Sequence, residues 1–384
     1  MVNFSFFTLL STQIIISILI IVIYFCVRSN TFICKYGIYF ITMPLLACTL
    51  RFMFPFETGF SIVLRSPNVV SNIYTLYRSS IMEYEVSHII YIIMHIGIAV
   101  SLFMLIKSFY HIYNLSINSI EITSQQDIET ILSKLKIKYN YNKNIKILLN
   151  YKLNTPFVFG YIKPTIYMPD INYNKNELQY ILEHELVHFF HKDLWLKLII
   201  QLICIIYWWN PFIYLLRDIL SHSLELKCDS YICKDLSIEE KKAYLYTIMH
   251  TIESSNNTIK KSTVISNFGK KTSNDSLIQR FELVFDYKYK LDKYKIFSII
   301  FSLILFAFTY SVVIQPAYAP TYNDYIEDNG EGFMINENTS YIVKKSDGYY
   351  LYYADDEMYK LTESELKTLL SANLKIKDNK EVLK

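Results

Sequence analysis

The chain has 384 residues, 52 % of them hydrophobic and 16 % aromatic, and a formal charge of only +3. So small a charge, with no dense basic run, excludes direct nucleic-acid binding through a phosphate-neutralising surface, and the apolar excess favours a membrane protein over a soluble one. The six cysteines (Cys26, Cys34, Cys48, Cys204, Cys228 and Cys233) leave none for the C-terminal tail, which excludes an extracellular disulfide framework there, and Cys228 and Cys233 read as ordinary reduced thiols.

From the N-terminus, Phe6–Val27 is an uncharged run of the length that crosses a bilayer, about 20 residues. No basic segment precedes it and a second apolar run follows closely, so it reads as an anchor rather than a cleaved signal peptide. Tyr36–Leu50 is shorter and carries Pro44, Val86–Ile106 holds only His88 and His95 as chargeable groups, and Ile296–Ile314 is a fourth run far down the chain. Placing Arg28, Lys35, Lys107, Lys288, Lys290, Lys293 and Lys295 in the cytoplasm puts the N-terminus outside, residues 107–295 inside and the tail from Gln315 outside. The acidic Asp324, Glu327, Asp328 and Glu331 agree with an outer tail, whereas Arg51, Arg65 and Arg78 in the outer 51–85 loop run against the rule. Leu198–Trp209 is too short to span. A buried core helix is its ordinary reading, and an interfacial helix anchored by Trp195, Trp208 and Trp209 is the alternative.

The expected organisation is therefore an α+β membrane protein with four transmembrane helices. Residues 1–106 form a three-helix membrane region, 107–295 a cytoplasmic domain, 296–314 the fourth span and 315–384 a small extracellular tail. Within the cytoplasmic domain Gln125–Tyr139 has helical periodicity, with Ile128, Ile131, Leu132 and Leu135 on one side. Asn144–Tyr151 reads as a strand, and residues 154–169 as two β-rich runs broken at Gly160 and Pro164, placed by their prolines at a sheet edge. Helices are expected from Asn176 to Lys192 and from Ile238 to Ile252, followed by a polar loop, Ser254–Ser276.

The chemistry concentrates in Leu182-Glu-His184-Glu185-Leu-Val-His188. On a helix, His184 and His188 are one turn apart and project from one face, so two imidazoles can share one Zn2+. Glu185 can then take a proton from the water that the ion activates as that water attacks a carbonyl. With eight histidines in the chain, a chance His-Glu-x-x-His is about a 1 % event, so two ordinary surface histidines are the weaker reading. A catalytic zinc takes a third protein ligand, expected from another element. The stretch Glu225-Leu-Lys-Cys-Asp229 offers one, among several acidic residues that could serve. His191 could face the site, although a solvated or capping role is the plainer one, and His222, three residues before Glu225, could serve as an oxyanion donor.

These features together resemble the BlaR/MecR family of membrane zinc metallopeptidase signal transducers, of gluzincin type. The matching segments are the His-Glu-Leu-Val-His box with Lys192-Asp193, Trp209-Asn-Pro-Phe-Ile-Tyr, Glu225-x-x-Cys-Asp229, and Pro156-Phe-Val-Phe-Gly-Tyr-Ile-Lys-Pro164. The resemblance covers residues 1–315 and is most specific from 155 to 233. It implies Glu225 as the third ligand, Asp229 as the group that orients a ligand histidine, and an edge strand near Phe157–Tyr161 that holds an extended substrate. It also implies a cytoplasmic repressor of the BlaI/MecI type as partner, relieved by a protease that first cuts itself in response to an unknown extracellular signal. A constitutive housekeeping membrane peptidase and a non-catalytic zinc-containing receptor are the alternatives, and Glu185 counts against the last.

The β-lactam receptors of that family carry a large extracellular penicillin-binding domain, for which a tail of about 70 residues is too short. Ser364-Glu-Leu-Lys367 fits Ser-x-x-Lys but lacks its partner motifs, so it reads as a chance match on a surface helix. The tail reads instead as a small α+β unit with strands at 333–335, 340–344 and 349–353 and a helix at 362–372. Self-cleavage is expected in the polar loop around Ser266, Asn267 and Phe268, where an apolar patch sits among polar residues.

Overall fold

Helix α1 (Phe6–Arg28) uses up the first uncharged run and ends on its first basic residue. The structure, a computed structural model, describes residues 6–58, 60–66, 72–73, 76–77, 79–81, 84–258, 274–286, 293–316, 341–345, 348–353, 357–361, 366, 369, 374 and 376–378. It divides into two units, residues 1–315 and 316–384.

In the first unit Ser29 caps α2 (Asn30–Tyr36) by accepting the Phe32 N–H. The chain then bends by 97° at Gly37, which has a positive φ of 88°, into α3 (Tyr39–Met53). Strand β1 (Ile62–Ser66) and a short pair, β2 (Ser80–Ile81) with β3 (Tyr84–Glu85), precede α4 (Val86–Ile117). With 32 residues α4 is about 48 Å long, well beyond the roughly 30 Å of a hydrocarbon core, so its last turns reach past any bilayer it crosses. Helices α1 and α4 are long and apolar enough to span, and α2–α3 adds a third span if the bent pair counts as one.

The last turns of α4 carry Ile112 and Leu115, which pack under a four-stranded sheet against Leu148, Leu153 and Tyr167. Buried Asn150 fixes that junction, donating to Leu115 O, Asn118 O and Ser119 Oγ. The sheet runs in the order β4 (Ile120–Glu121), β5 (Lys146–Leu149), β7 (Thr165–Met168), β6 (Phe157–Phe159), with β5 and β7 parallel and the outer pairs antiparallel. The other face is covered by α5 (Gln126–Lys138) and α6 (Lys175–Phe190), through Ile131, Leu135, Ile147, Ile166, Leu182 and Leu186. Strand β6 is thus an edge strand. Its turn into β7 needs Gly160: φ is 116°, and a Cβ there would lie 2.1 Å from Lys163 O.

Asn174 and Glu177 form a capping box that starts α6. The helix was expected to continue to Lys192, but Lys192 is left-handed at φ 60° and breaks it before α7 (Asp193–Ile206). Asn210 then accepts the Phe212 N–H and Pro211 takes the first position of α8 (Pro211–Ile232). The apolar run Leu198–Trp209 is a buried core helix, as expected, in the core shared with the first helices. Its Ile200, Ile203, Cys204 and Tyr207 pack with Ile16 and Ile20 of α1 and Leu45, Cys48 and Phe52 of α3, and Tyr207 OH donates to Phe52 O at 3.0 Å. Trp208 lies so close to α4 that a Cβ on Gly97 would come within 2.0 Å of its ring, the close approach that small residues permit between apolar helices.

Helix α9 (Ile238–Thr258) extends beyond its expected end, and α10 (Asn274–Asp286) precedes α11 (Lys293–Thr309). The run expected to stay helical to Ile314 gives way to β8 (Val312–Pro316), which pairs with β1. All six cysteines are free.

The second unit is a four-stranded sheet in the order β11 (Glu357–Lys360), β10 (Gly348–Tyr353), β9 (Tyr341–Lys345), β12 (Ile376–Asp378), with β12 parallel to β9 and the rest antiparallel. Ile342, Leu351 and Leu374 form its core. Strands β9 and β10 lie where expected, while β11 and β12 were not anticipated. The expected strand at 333–335, Ser364, Lys367 and most of the 362–372 helix lie outside the described residues.

Candidate metal centre

Spacing on α6 brings the two histidines together. The Nε2 atoms of His184 and His188 are 3.3 Å apart. Helix α8 delivers Glu225 between them, with Oε2 3.3 Å from His184 Nε2 and Oε1 3.4 Å from His188 Nε2. Three donors about 2.0–2.1 Å from one tetrahedral ion are separated by about 3.3–3.4 Å, the spacing found between the two imidazoles and between each imidazole and one of the two Glu225 oxygens.

Groups behind the rings fix which nitrogen faces inward. Asp193 accepts from His188 Nδ1 at 2.8 Å, and a carboxylate cannot donate, so the proton sits on Nδ1. The break at Lys192 is what turns buried Asp193 back onto that ring. On the other side Tyr244 OH donates to Asp229 Oδ1 at 2.6 Å and accepts from His184 Nδ1 at 2.9 Å. Both Nε2 atoms therefore face each other and a carboxylate, an arrangement that favours positive charge at its centre, whether a metal ion or a proton. Burial opposes charge on His188, but Glu225 and Asp193 raise it to about 9, and Glu225, despite its burial, is held well below the usual carboxylate range by His188 and His184. Negative and lone-pair density at this point calls for positive charge.

His184, His188 and Cys228 also have donor atoms within 4.8 Å of one another. The Cys228 sulfur, however, lies at the far edge of the imidazole, 3.5 Å from His184 Nδ1 and 3.6 Å from His184 O. The two Nε2 atoms face Glu225 rather than this sulfur.

Glu185 is engaged elsewhere: its Oε2 accepts the Val158 N–H of edge strand β6 at 2.9 Å. Asp229 stands 3.8 Å from His184 Nδ1 and acts on that ring through Tyr244, while Arg280 of α10 grips it with two bonds. His222 hands its Nε2 to Gln279 at 2.7 Å, and burial keeps its ring below the usual pKa. His191 caps α6 with its ring against Tyr231, apart from the trio. Ser266, Asn267 and Phe268 lie outside the described residues.

Comparison with known proteins points to a peptidase family. The model of a family described as BlaR1 peptidase M56 matches residues 8–284. The methicillin resistance mecR1 protein of Staphylococcus aureus is 29 % identical over 177 residues, 44 % of this chain and 30 % of that protein. Regulatory protein BlaR1 of Bacillus licheniformis is 28 % identical over 156 residues, 39 % of this chain and 25 % of that protein. The chain thus spans less than a third of the length of these relatives.

Proposed function

The chain belongs to the BlaR1 peptidase M56 family, and on that premise we propose that it is an integral-membrane zinc endopeptidase of a signalling pathway, active on the cytoplasmic side. The observation that carries the reading is the triangle of His184 Nε2, His188 Nε2 and Glu225 with a hydrogen-bond acceptor behind each imidazole.

His184, His188 and Glu225 would hold the ion, which supplies Lewis-acid polarisation of a carbonyl and of water at neutral pH. Glu185 is the general base, taking a proton from the attacking water and returning it to the leaving amine. Tyr244 and Asp193 accept from both Nδ1–H groups and so leave the two Nε2 atoms facing the centre. Strand β6 has one free edge, and an extended peptide adding to it would compete with Glu185 for the Val158 N–H, freeing the carboxylate as substrate seats.

The membrane assignment has four spans: α1, the α2–α3 pair, α4 and α11. Residues 107–295 then face the cytoplasm and the tail lies outside. Arg51, awkward for that orientation, finds partners within the chain: its guanidinium lies 3.9 Å from the Tyr310 ring centre and its Nη1 donates to Phe54 O. In this reading an extracellular signal leads to a self-cut near Ser266–Phe268 and to relief of a cytoplasmic repressor of the BlaI/MecI type.

Metal analysis of purified protein tests the ligand set. Wild type is expected to hold close to one zinc, with most of it lost in His184→Ala, His188→Ala and Glu225→Ala. Full zinc in Glu225→Ala together with loss in a Cys228→Ala variant would replace the carboxylate by the thiol.

A further inference from the structure

We infer that helix α10 ties the C-terminal end of α1 to the metal centre, with Arg280 as a positioning residue for Asp229 and Glu225 and Gln279 as the link to α1. The inference rests on the metal-centre reading above and adds to it the route by which the membrane part can reach the ligands.

Two neighbouring residues of α10 make the connection. Arg280 is buried and donates from Nε to Asp229 Oδ2 at 2.6 Å and from Nη2 to Asp229 Oδ1 at 2.8 Å. Its third nitrogen, Nη1, is 3.7 Å from Glu225 Oε2. Through Asp229 and Tyr244 it also stands behind His184. One guanidinium thus braces both the carboxylate and one imidazole of the trio, which a lysine cannot do because an ammonium has no planar fork.

Gln279 faces the membrane helices. Its Oε1 accepts from His222 Nε2 on α8, three residues before Glu225. Its Nε2 donates to Val27 O at 2.7 Å and to Asn30 Oδ1 at 2.8 Å. Val27 O belongs to the last turn of α1, whose carbonyls have no partner within their own helix. Asn30 completes the clasp by donating to Glu282 of α10. A shift of the last turn of α1 is therefore handed to the same turn of α10 that carries Arg280. Helices packed together and joined by several side-chain bonds at one contact tend to move together rather than yield locally.

The test uses the full chain in nanodiscs with cobalt(II) as the probe ion, read by its visible ligand-field spectrum and by chelator competition. Arg280→Lys is expected to weaken cobalt binding about 10–100-fold and shift the band, the scale on which groups behind metal ligands act. Gln279→Leu and Asn30→Ala, which leave Arg280 in place and carry the test if Arg280→Lys does not fold, are expected to weaken binding several-fold with the same band shift. Asn30→Ala should add nothing in the Arg280→Lys background, because both act through one connection. Wild-type spectra and affinities in both Gln279→Leu and Asn30→Ala, or full additivity of Asn30→Ala with Arg280→Lys, overturn the inference while leaving the metal centre intact. A wild-type chain that takes up no cobalt overturns the metal-centre reading itself, and this inference with it.

Discussion

Two imidazoles four residues apart announce their partner by spacing alone, which is why His184, Glu185 and His188 could be read from the sequence. Glu225 could not be chosen over other acids without the family resemblance, because helix α8 brings it in from 37 residues beyond His188. Asp193 entered only as part of the matching His-box segment, with no role assigned, and Tyr244 and Arg280 carried no signal: each works through a bond made only after folding, across a helix break or from another helix. Asp193 makes a direct prediction at this scale. Removing it in Asp193→Ala leaves His188 free to turn or change tautomer, so zinc affinity should fall about 10–100-fold. Chelator competition on the purified variant checks this, and an unchanged affinity would show that packing alone holds the ring.

Elements were legible where one period dominated. The apolar face of α5, the box helix α6 and strands β6 and β7 all lie within a few residues of their expected places, but only β6 is at the edge, since β7 pairs with both β5 and β6. The breaks were not legible, because Lys192 has no intrinsic preference for the left-handed region and is forced there by the docking of α7 on α1 and α3. The same docking buries the twelve-residue apolar run, whose core reading holds although its neighbours are other apolar helices. Gly160 gives the test at this scale. Gly160→Ala adds a Cβ 2.1 Å from Lys163 O at a φ of 116°, which should cost roughly 1–3 kcal/mol and displace β6. Thermal stability and peptide cleavage should both fall while zinc is retained, since β6 donates no ligand. Loss of zinc instead would mean that the sheet edge supports the metal site itself.

For the whole molecule the sequence carried the order of parts better than their extent. Apolar runs marked α1, α3, α4 and α11, yet α4 continues into the sheet layer, and the fourth run ends as a strand paired with β1. Such ends depend on neighbours distant in sequence, Asn150 in one case and the β1 edge in the other. The orientation is testable with an impermeant thiol reagent on intact cells. A cysteine placed at Ser346 should label and one at Ser266 should not, and the opposite pattern would reverse the charge-based topology.

The central claim is that this chain is a zinc peptidase whose general base is Glu185, and one variant tests it most directly. Membranes containing wild type or Glu185→Gln should be compared for bound zinc and, by mass spectrometry, for self-cleavage between Ser254 and Ser276. The account predicts equal zinc in both, with the fragment present in wild type and absent in Glu185→Gln. Undiminished cleavage by Glu185→Gln with its zinc in place would contradict it.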